Sequence, residues 1–246
     1  MGVAVAVVSG KGGTGKTSVC AGISIALATS GLKVLCIDCD VGLRNLDISL
    51  GISDHSALSF LDVTEGAYPL EQATVHPYFP NLHFLTAPMN RGVEKIDISA
   101  FGEMLRKARK QFDYIFLDSP AGVDAGFRLV CTHADRFLLV TGPGPAAVRD
   151  AARVGELLEL MGKTDVRLVV NRVNKNMLSV LRLTIDDVMD SAGLPLIGVV
   201  MEDHDVPLAA ACNLPLVRYS SHAVAATAYR KIARRIQGIP EPIKLR

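Results

Sequence analysis

The sequence predicts an α/β fold, with a mostly parallel central sheet covered by helices on both faces. Three observations predict it. Short apolar runs rich in β-branched residues recur along the 246-residue chain. Each run is nearly continuous in hydrophobicity, which is typical of strands buried on both faces. Segments with helical spacing separate the runs, and this alternation favours crossover connections between parallel strands.

The predicted elements follow one another along the chain without a visible linker. The predicted strands are Val3–Val8, Lys33–Ile37, Leu82–Leu85, Tyr114–Leu117, Arg136–Thr141, Val166–Asn171 and Leu196–Val200. The predicted helices are Ser18–Thr29, Asp97–Lys110, Pro145–Met161, Thr184–Ala192 and about Ser221–Gln237. No repeat or low-complexity tract divides the chain, so we expect one domain over residues 1–246, with an irregular tail over residues 238–246.

Composition excludes several broad classes of protein. Hydrophobic residues make up 49% of the chain and charged residues 21%, which excludes global disorder. Lysine and arginine number 26 against 25 acidic residues, and a net charge of +1 argues against a protein that coats nucleic acid. The apolar runs are too short to span a membrane, and no secretory signal is visible. We therefore expect a soluble, cytoplasmic protein.

The cysteines and histidines show no pattern of a metal site. Cys36 and Cys39 form a C-x-x-C pair, but no second pair completes a four-thiolate site. Strand alternation sends the two side chains to opposite faces, so we predict that they are buried structural residues. The six histidines lack the spacing of metal ligands.

The strongest motif is the segment Gly10–Thr17, which fits the pattern G-x-x-x-x-G-K-[ST] of a phosphate-binding loop. A predicted strand precedes it and a predicted helix follows, which disfavours the alternative of a glycine-rich turn with a chance lysine. Lys16 can span the β- and γ-phosphates, and the Thr17 hydroxyl can ligate Mg²⁺. The predicted nucleotide contacts in this segment are Gly10, Gly12, Gly13, Thr14, Gly15, Lys16, Thr17 and Ser18.

Three aspartates stand at the ends of predicted strands, where ligands bind in α/β folds. Asp38 and Asp40 follow the second strand, so one can order Mg²⁺ and its waters while the other orients an attacking water. Alternatively, both could satisfy backbone N–H groups of a loop. Asp118 ends the strand Tyr114–Leu117 in the form of a Mg²⁺-binding carboxylate. The predicted metal ligands are Thr17, Asp38 and Asp118.

These motifs resemble those of the MinD/ParA group of ATPases. Lys11–Thr17 resembles the deviant Walker A loop of that group, Asp38–Asp47 is similar to the first switch of its MinD branch, and Ser119–Gly122 resembles the second switch. Val148–Asp150, Asn171 and Gly198–Asp203 follow in the same order. The resemblance implies a three-layer P-loop NTPase fold and slow, Mg²⁺-dependent hydrolysis of ATP.

The resemblance also implies roles for single residues. Lys11 would cross a dimer interface to touch the partner's nucleotide, and Asp40 would polarise the attacking water. Gly122 would place a backbone N–H near the γ-phosphate, and Asn171, followed by Arg172, would read the adenine edge. The alternatives are a solvated Lys11 and a turn residue at position 171.

The resemblance also covers parts of two further segments. The resemblance places Arg44 and Asn45 in the moving part of the first switch. Met201 stands where the family commonly has proline, so base contacts from Glu202 and Asp203 stay open.

The resemblance implies an ATP-dependent homodimer that acts as a switch in division-site selection, with activator and effector proteins. Rivals in the same superfamily are a ParA-like DNA-partitioning ATPase, a flagellar-number regulator and a metal-insertion ATPase. A scaffold that binds nucleotide without turnover is a further alternative, disfavoured by Lys11 and Asp40. The net charge of +1 makes nucleic acid an unexpected partner.

Membrane binding depends on the last predicted helix, Ser221–Gln237. Its basic residues favour either a helix docked on the domain with cations facing water or a helix lying on an anionic membrane. Beyond Gly238, two prolines in eight residues disfavour the amphipathic segment that ends bacterial MinD proteins. We therefore expect a cytoplasmic protein, with peripheral attachment to the inner face of the cell membrane as the alternative.

Overall fold

The computed structural model describes residues 1–89 and 92–243, which include one sheet of eight strands. The strands are β1 (Val3–Val8), β2 (Val34–Asp38), β3 (Thr74–His76), β4 (Phe79–Leu85), β5 (Tyr114–Asp118), β6 (Arg136–Thr141), β7 (Val166–Val173) and β8 (Leu196–Met201). Their order in the sheet is β3-β4-β2-β5-β1-β6-β7-β8. All neighbours are parallel except β3 and β4, which confirms the mostly parallel sheet.

Eleven α-helices connect the strands within the described ranges. They are α1 (Lys16–Thr29), α2 (Leu46–Leu50), α3 (Phe60–Thr64), α4 (Ile98–Ala108), α5 (Ala125–His133), α6 (Pro145–Leu160), α7 (Lys175–Leu181), α8 (Ile185–Ala192), α9 (Asp205–Ala211), α10 (Leu216–Tyr219) and α11 (Val224–Ile236). The five predicted helices are all present, with bounds that differ by at most three residues.

The core lies on both faces of the sheet. Along β1, Ala4, Ala6 and Val8 join one buried apolar cluster, whereas Val5 and Val7 join the other. This alternation follows from the period of two in an extended strand. The predicted three-layer architecture is therefore confirmed, and the strands at its centre have little polar side-chain surface.

Strand order places the candidate site residues together. β1 lies between β5 and β6, and β5 lies between β1 and β2. In the strand register Asp118 is opposite both Val7 of β1 and Asp38 of β2. Because parallel strands end at the same edge, the loop after β1 and the acids after β2 and β5 meet there.

Several elements differ from the prediction. β3 is absent from the predicted strands, since three residues that include Thr74 and His76 do not form an apolar run. β4 begins at Phe79 rather than at Leu82, and β7 continues past Asn171 to Val173. In these strands pairing with a neighbour overrides polar residues that looked like strand ends. The tail has no helix or strand over 239–243, and 244–246 lie outside the described residues.

The last helix, α11, packs against α1 and β8, which supports the docked alternative. Its apolar stripe is buried, and Gly22 of α1 lies against the ring of Tyr229. Arg235 donates to the backbone oxygens of Ile197, Glu241 and Pro242, and Arg234 pairs with Glu241 at 3.0 Å. These arginines therefore hold the tail against the domain. Among the described helices, none has the length and apolarity to cross a membrane.

The contact between α1 and α11 yields a stability prediction. A Cβ at position 22 would lie 2.1 Å from a ring carbon of Tyr229, so Gly22→Ala forces the two helices apart. We expect the free energy of unfolding to fall by about 1–3 kcal/mol in urea titration. Gly142→Ala is the matched control, because a Cβ there meets no atom within 4 Å. Equal stability of the Gly22→Ala variant and the parent protein would contradict this account of the helix contact.

Candidate active site

The phosphate-binding loop joins β1 to α1 in the predicted form. Gly13 and Gly15 adopt positive φ angles of 79° and 82°, which side chains other than glycine rarely tolerate. No side chain caps the N-terminus of α1, and its first turn contains no acid. The first N–H groups of α1 are therefore available to an anion, which the helix dipole also favours.

Lys16 forms a buried ion pair with Asp118. Its Nζ lies 2.8 Å from Oδ1 of Asp118, and the two side chains are 7% and 1% exposed. Burial opposes the charged lysine, but the charge and hydrogen bond of Asp118 outweigh it, so the pKa of Lys16 is raised. In the nucleotide-free chain, the ammonium group of Lys16 is thus paired with the carboxylate of Asp118. A bound phosphate group would compete with Asp118 for the same ammonium group.

Asp38 is fully buried and bonds to its own loop. Its two oxygens accept from the backbone N–H groups of Asp40 at 2.9 Å and Leu46 at 3.0 Å. Asp38 therefore accepts from backbone N–H groups of its loop, as the alternative interpretation expected. Burial, followed by the charge of Asp118, raises the pKa of Asp38 to about 7. Asp38 thus ties the first-switch segment to β2 while facing a second carboxylate.

Asp40 is half-buried, and its carboxylate accepts no hydrogen bond from the described parts of the chain. Burial raises its pKa, while Lys16 acts in the opposite direction. Asp40 thus lies within electrostatic reach of the ion pair and has oxygens that are free to accept from a water.

The first-switch segment after Asp40 has a strained turn. Arg44 has a φ of 44°, a conformation that is uncommon for arginine, and its backbone N–H donates to the Asp40 carbonyl. The guanidinium contacts Asp47 at 3.5 Å and the sulfur of Met89 at 3.0 Å. Asn45 precedes α2 and provides no side-chain cap.

The donor set fits Mg²⁺. Thr17 is half-buried with a hydroxyl that has no partner within the described ranges, and Asp38 and Asp118 supply carboxylate oxygens nearby. No cluster of three histidine, cysteine or acidic residues is present among the residues that the structure describes. Such a site matches Mg²⁺, which uses one or two carboxylates together with substrate phosphates.

Lys11 and Gly122 differ in their availability. Lys11 is exposed, none of the described residues pairs with its ammonium group, and it lines a cavity of about 310 Å³ with Gly142 and Arg172. By contrast, the Gly122 N–H donates to the carbonyl of Ser9 at 3.1 Å. The amide assigned to the γ-phosphate by resemblance is therefore bonded to the start of the phosphate-binding loop in this structure.

Asn171 lies at a second cavity, of about 230 Å³, beside the start of α1. Its Nδ2 donates to the carbonyl of Thr14 at 2.8 Å, and the residue is only 4% exposed. One N–H of the amide is used there, so its second N–H and its oxygen are left for a ligand. Gly15 approaches so closely that any side chain would meet the amide, and Arg172 follows with a φ of 55°.

The acids after β8 have structural partners. Asp203 accepts from the N–H groups of Asp205 at 3.0 Å and Ala225 at 2.9 Å, so it caps the start of α11. Glu202 accepts from Nδ2 of Asn174 at 3.0 Å. Both acids line the second cavity with these bonds in place, and base contacts from Glu202 and Asp203 stay an untested prediction. Met201 itself packs against the core.

Sequence patterns missed several lining residues of this cavity, among them Tyr229 of α11. An isolated aromatic residue on a C-terminal helix carries no motif, and nothing in the sequence shows which face of α11 meets α1.

The prediction for the cysteines is confirmed. Cys36 and Cys39 are both buried and belong to the apolar clusters on opposite faces of the sheet. The thiol neighbour of Cys36 is Cys20 of α1, and burial raises the pKa of Cys20. Buried thiols with raised pKa values are poor nucleophiles and poor metal ligands.

Comparisons with known proteins agree with this geometry. Residues 5–216 match the family model described as the CobQ/CobB/MinD/ParA nucleotide binding domain. A septum site-determining protein MinD from Synechocystis is 37% identical over 236 residues, which cover 95% of this chain and 89% of that protein.

Solved structures are similar over the whole fold. MinD in the MinC:MinD cell division complex of Aquifex aeolicus superposes with a TM-score of 0.90 at 34% identity, covering 98% of each chain. The septum site-determining protein MinD of Pyrococcus horikoshii, solved with Mg-ADP, has a TM-score of 0.83 at 29% identity and 96% coverage of each chain.

The raised pKa of Asp38 yields a pH prediction for the nucleotide-free, Mg²⁺-free protein. The folded carboxyl holds its proton up to about pH 7, against 3.8 for the ordinary group, so folding takes up a proton. This group therefore lowers stability progressively as the pH rises from about 4 to about 7. The Asp38→Asn variant has no carboxyl group at this position, so it lacks this loss of stability. We therefore expect its unfolding free energy, relative to that of the parent protein, to rise over that pH range by up to about 4 kcal/mol. Denaturant titrations at several pH values measure the difference, and parallel pH profiles would contradict it.

Proposed function

We propose, from the premise that this chain belongs to the CobQ/CobB/MinD/ParA nucleotide-binding family and is an ATPase of its MinD group, that ATP acts in it as a dimerisation switch. The observation that supports this most is the arrangement of two lysines in one loop. Lys16 is buried and paired with Asp118, whereas Lys11 is exposed and unpaired among the described residues. The first suits the chain's own nucleotide, and the second suits the nucleotide of another molecule.

The first step is an exchange of partners at Lys16. The β- and γ-phosphates of ATP displace Asp118 from the ammonium group while the N-terminus of α1 binds phosphate oxygens. Mg²⁺, when bound, is held by the Thr17 hydroxyl and by Asp38 and Asp118 directly or through water, and it neutralises charge on the phosphates. The released Asp118 and the buried Asp38 then have a cation to offset their mutual repulsion.

The second step is dimer formation. Lys11 of each subunit reaches the phosphates bound by the other, so that both sites are completed together. A cation that arrives only on dimerisation stabilises the charge that develops in phosphoryl transfer. This explains why the loop contains an exposed lysine, Lys11, in addition to Lys16, which binds the phosphates of its own chain's nucleotide.

The third step is hydrolysis of ATP to ADP and phosphate. Asp40 accepts a hydrogen bond from water and orients it for in-line attack on the γ-phosphorus. Loss of the γ-phosphate removes the partner of the Gly122 N–H in the second switch, and this N–H returns to the Ser9 carbonyl. The subunits then separate, which makes the switch reversible.

The biological setting follows from the relatives. MinD of Aquifex aeolicus is found in a complex with MinC, and we extend to this chain a role in division-site selection with activator and effector proteins. The proposed location is the cytoplasm, with peripheral membrane attachment as a variant of it. Arg234 and Arg235 already bind the tail, so a vesicle-binding test should alter the exposed Arg230 instead.

Replacement of Lys11 tests the trans contact. We expect Lys11→Ala to bind ATP as a monomer within about threefold of the parent affinity, since the buried Lys16 still holds the phosphates. The variant should form no ATP-dependent dimer by light scattering and should lose at least about 100-fold in ATP turnover.

Two variants serve as controls for Lys11→Ala. Lys107→Ala removes an exposed lysine on α4 and should behave as the parent. Lys16→Ala should lose ATP binding itself. Unchanged turnover and unchanged dimerisation of Lys11→Ala would refute the proposed switch.

A further inference from the structure

Tyr229 links the last helix to the nucleotide site. The residue is 3% exposed, and its ring lies against Gly22, five residues beyond the end of the phosphate-binding loop. It lines the cavity of about 230 Å³ together with Gly15, Asn171 and Asp203. The ring is therefore fixed in place by close packing, and the residue lines this cavity as well as an apolar cavity of about 310 Å³ beside Gly22.

The hydroxyl of Tyr229 has no hydrogen-bond partner anywhere in residues 1–89 and 92–243. It is not among the described side-chain atoms that are both fully enclosed and unpartnered, so it borders open space. Neither nearby acid is bonded to it, since the oxygens of Asp203 accept backbone N–H groups and Glu202 accepts from Asn174. The missing partner is therefore to be sought in what the cavity binds.

Burial and the charged neighbours of Tyr229 keep its hydroxyl neutral. Burial raises the pKa of Tyr229, and the charge of Asp203 raises it further, against an opposing effect of Arg172. Asp203 and Arg172 line the same cavity. A phenol that stays protonated at physiological pH can donate one hydrogen bond and accept another.

We propose that the Tyr229 hydroxyl hydrogen-bonds to the nucleoside half of bound ATP and ADP, at a ribose hydroxyl or at a ring nitrogen of the base. The proposal rests on the assignment of this cavity to the nucleoside, which is part of the proposed function. Tyr229 is then a binding residue that holds base and sugar while Asn171 presents its amide oxygen. The last helix thereby becomes part of the nucleotide site.

The test is calorimetric titration of Tyr229→Phe with ATP and with ADP. The variant keeps the ring on Gly22 and removes only the hydroxyl, so we expect both affinities to fall about 5- to 20-fold. Tyr114→Phe is the matched control, since the half-buried Tyr114 hydroxyl lies 3.5 Å from the carbonyl of Ile236, away from this cavity. Its affinities should equal those of the parent.

Titration with 2′-deoxy-ATP locates the contact. If the hydroxyl binds the ribose 2′ oxygen, the parent binds 2′-deoxy-ATP more weakly than ATP, whereas Tyr229→Phe binds the two nucleotides equally. If the contact is to the base or the 3′ oxygen, the variant loses the same factor with both nucleotides. Either result supports the proposal.

A measurement on the parent protein covers the case in which Tyr229→Phe folds poorly. With ¹³Cζ-labelled tyrosine, addition of ADP should shift the Tyr229 resonance and leave that of Tyr114 in place. Unchanged nucleotide affinities in a folded Tyr229→Phe variant, or an unmoved Tyr229 resonance, would overturn the proposal.

The same titrations separate this proposal from the proposed function. If Lys16→Ala and Asn171→Ala lose nucleotide binding while Tyr229→Phe keeps it, only the role of Tyr229 is wrong. If Lys16→Ala and Asn171→Ala bind ATP as the parent does, the site itself is misplaced.

Discussion

The buried ion pair between Lys16 and Asp118 is the interaction on which the site depends. Burying two charges is costly, and a buried pair often contributes little net stability, so its value here lies elsewhere. The pair joins the loop after β1 to the end of β5 and keeps a charged ammonium group in a nearly dry place. A phosphate that enters the site contacts an ammonium group that is already desolvated. It then replaces the carboxylate of Asp118 as the partner of that group.

The same pair explains the electrostatics of the other acids. Asp38 and Asp40 lie beside an ammonium group that Asp118 has already neutralised, and burial raises the pKa values of both. The nucleotide-free site thus has more negative charge than its buried lysine can offset, which suits a divalent cation that arrives with triphosphate. Asp38 also binds the amide of Leu46, so a change in its charge is transmitted to α2 and to the loop that contains Arg44.

Much of this could be predicted from the sequence, because it rests on local pattern. Continuous apolar runs predict the buried parallel strands, and the spacing of Gly10–Thr17 predicts a loop between strand and helix. The rest depends on contacts between residues far apart in the chain. Asp203 caps a helix that starts 21 residues later, and the tyrosine of that helix reaches the cavity only because Gly22 admits its ring. No periodicity encodes such pairings.

A mixing experiment tests the proposed exchange between subunits most directly. Lys11→Ala and Asp40→Ala are each expected to be inactive, but a dimer of the two contains one site with an intact Asp40 that receives Lys11 from its partner. The account predicts that mixing them in equal amounts with ATP restores turnover, up to about a quarter of the parent rate if subunits pair at random and each site works independently. A mixture as inactive as its components would contradict the account and would place Lys11 beside the nucleotide of its own chain.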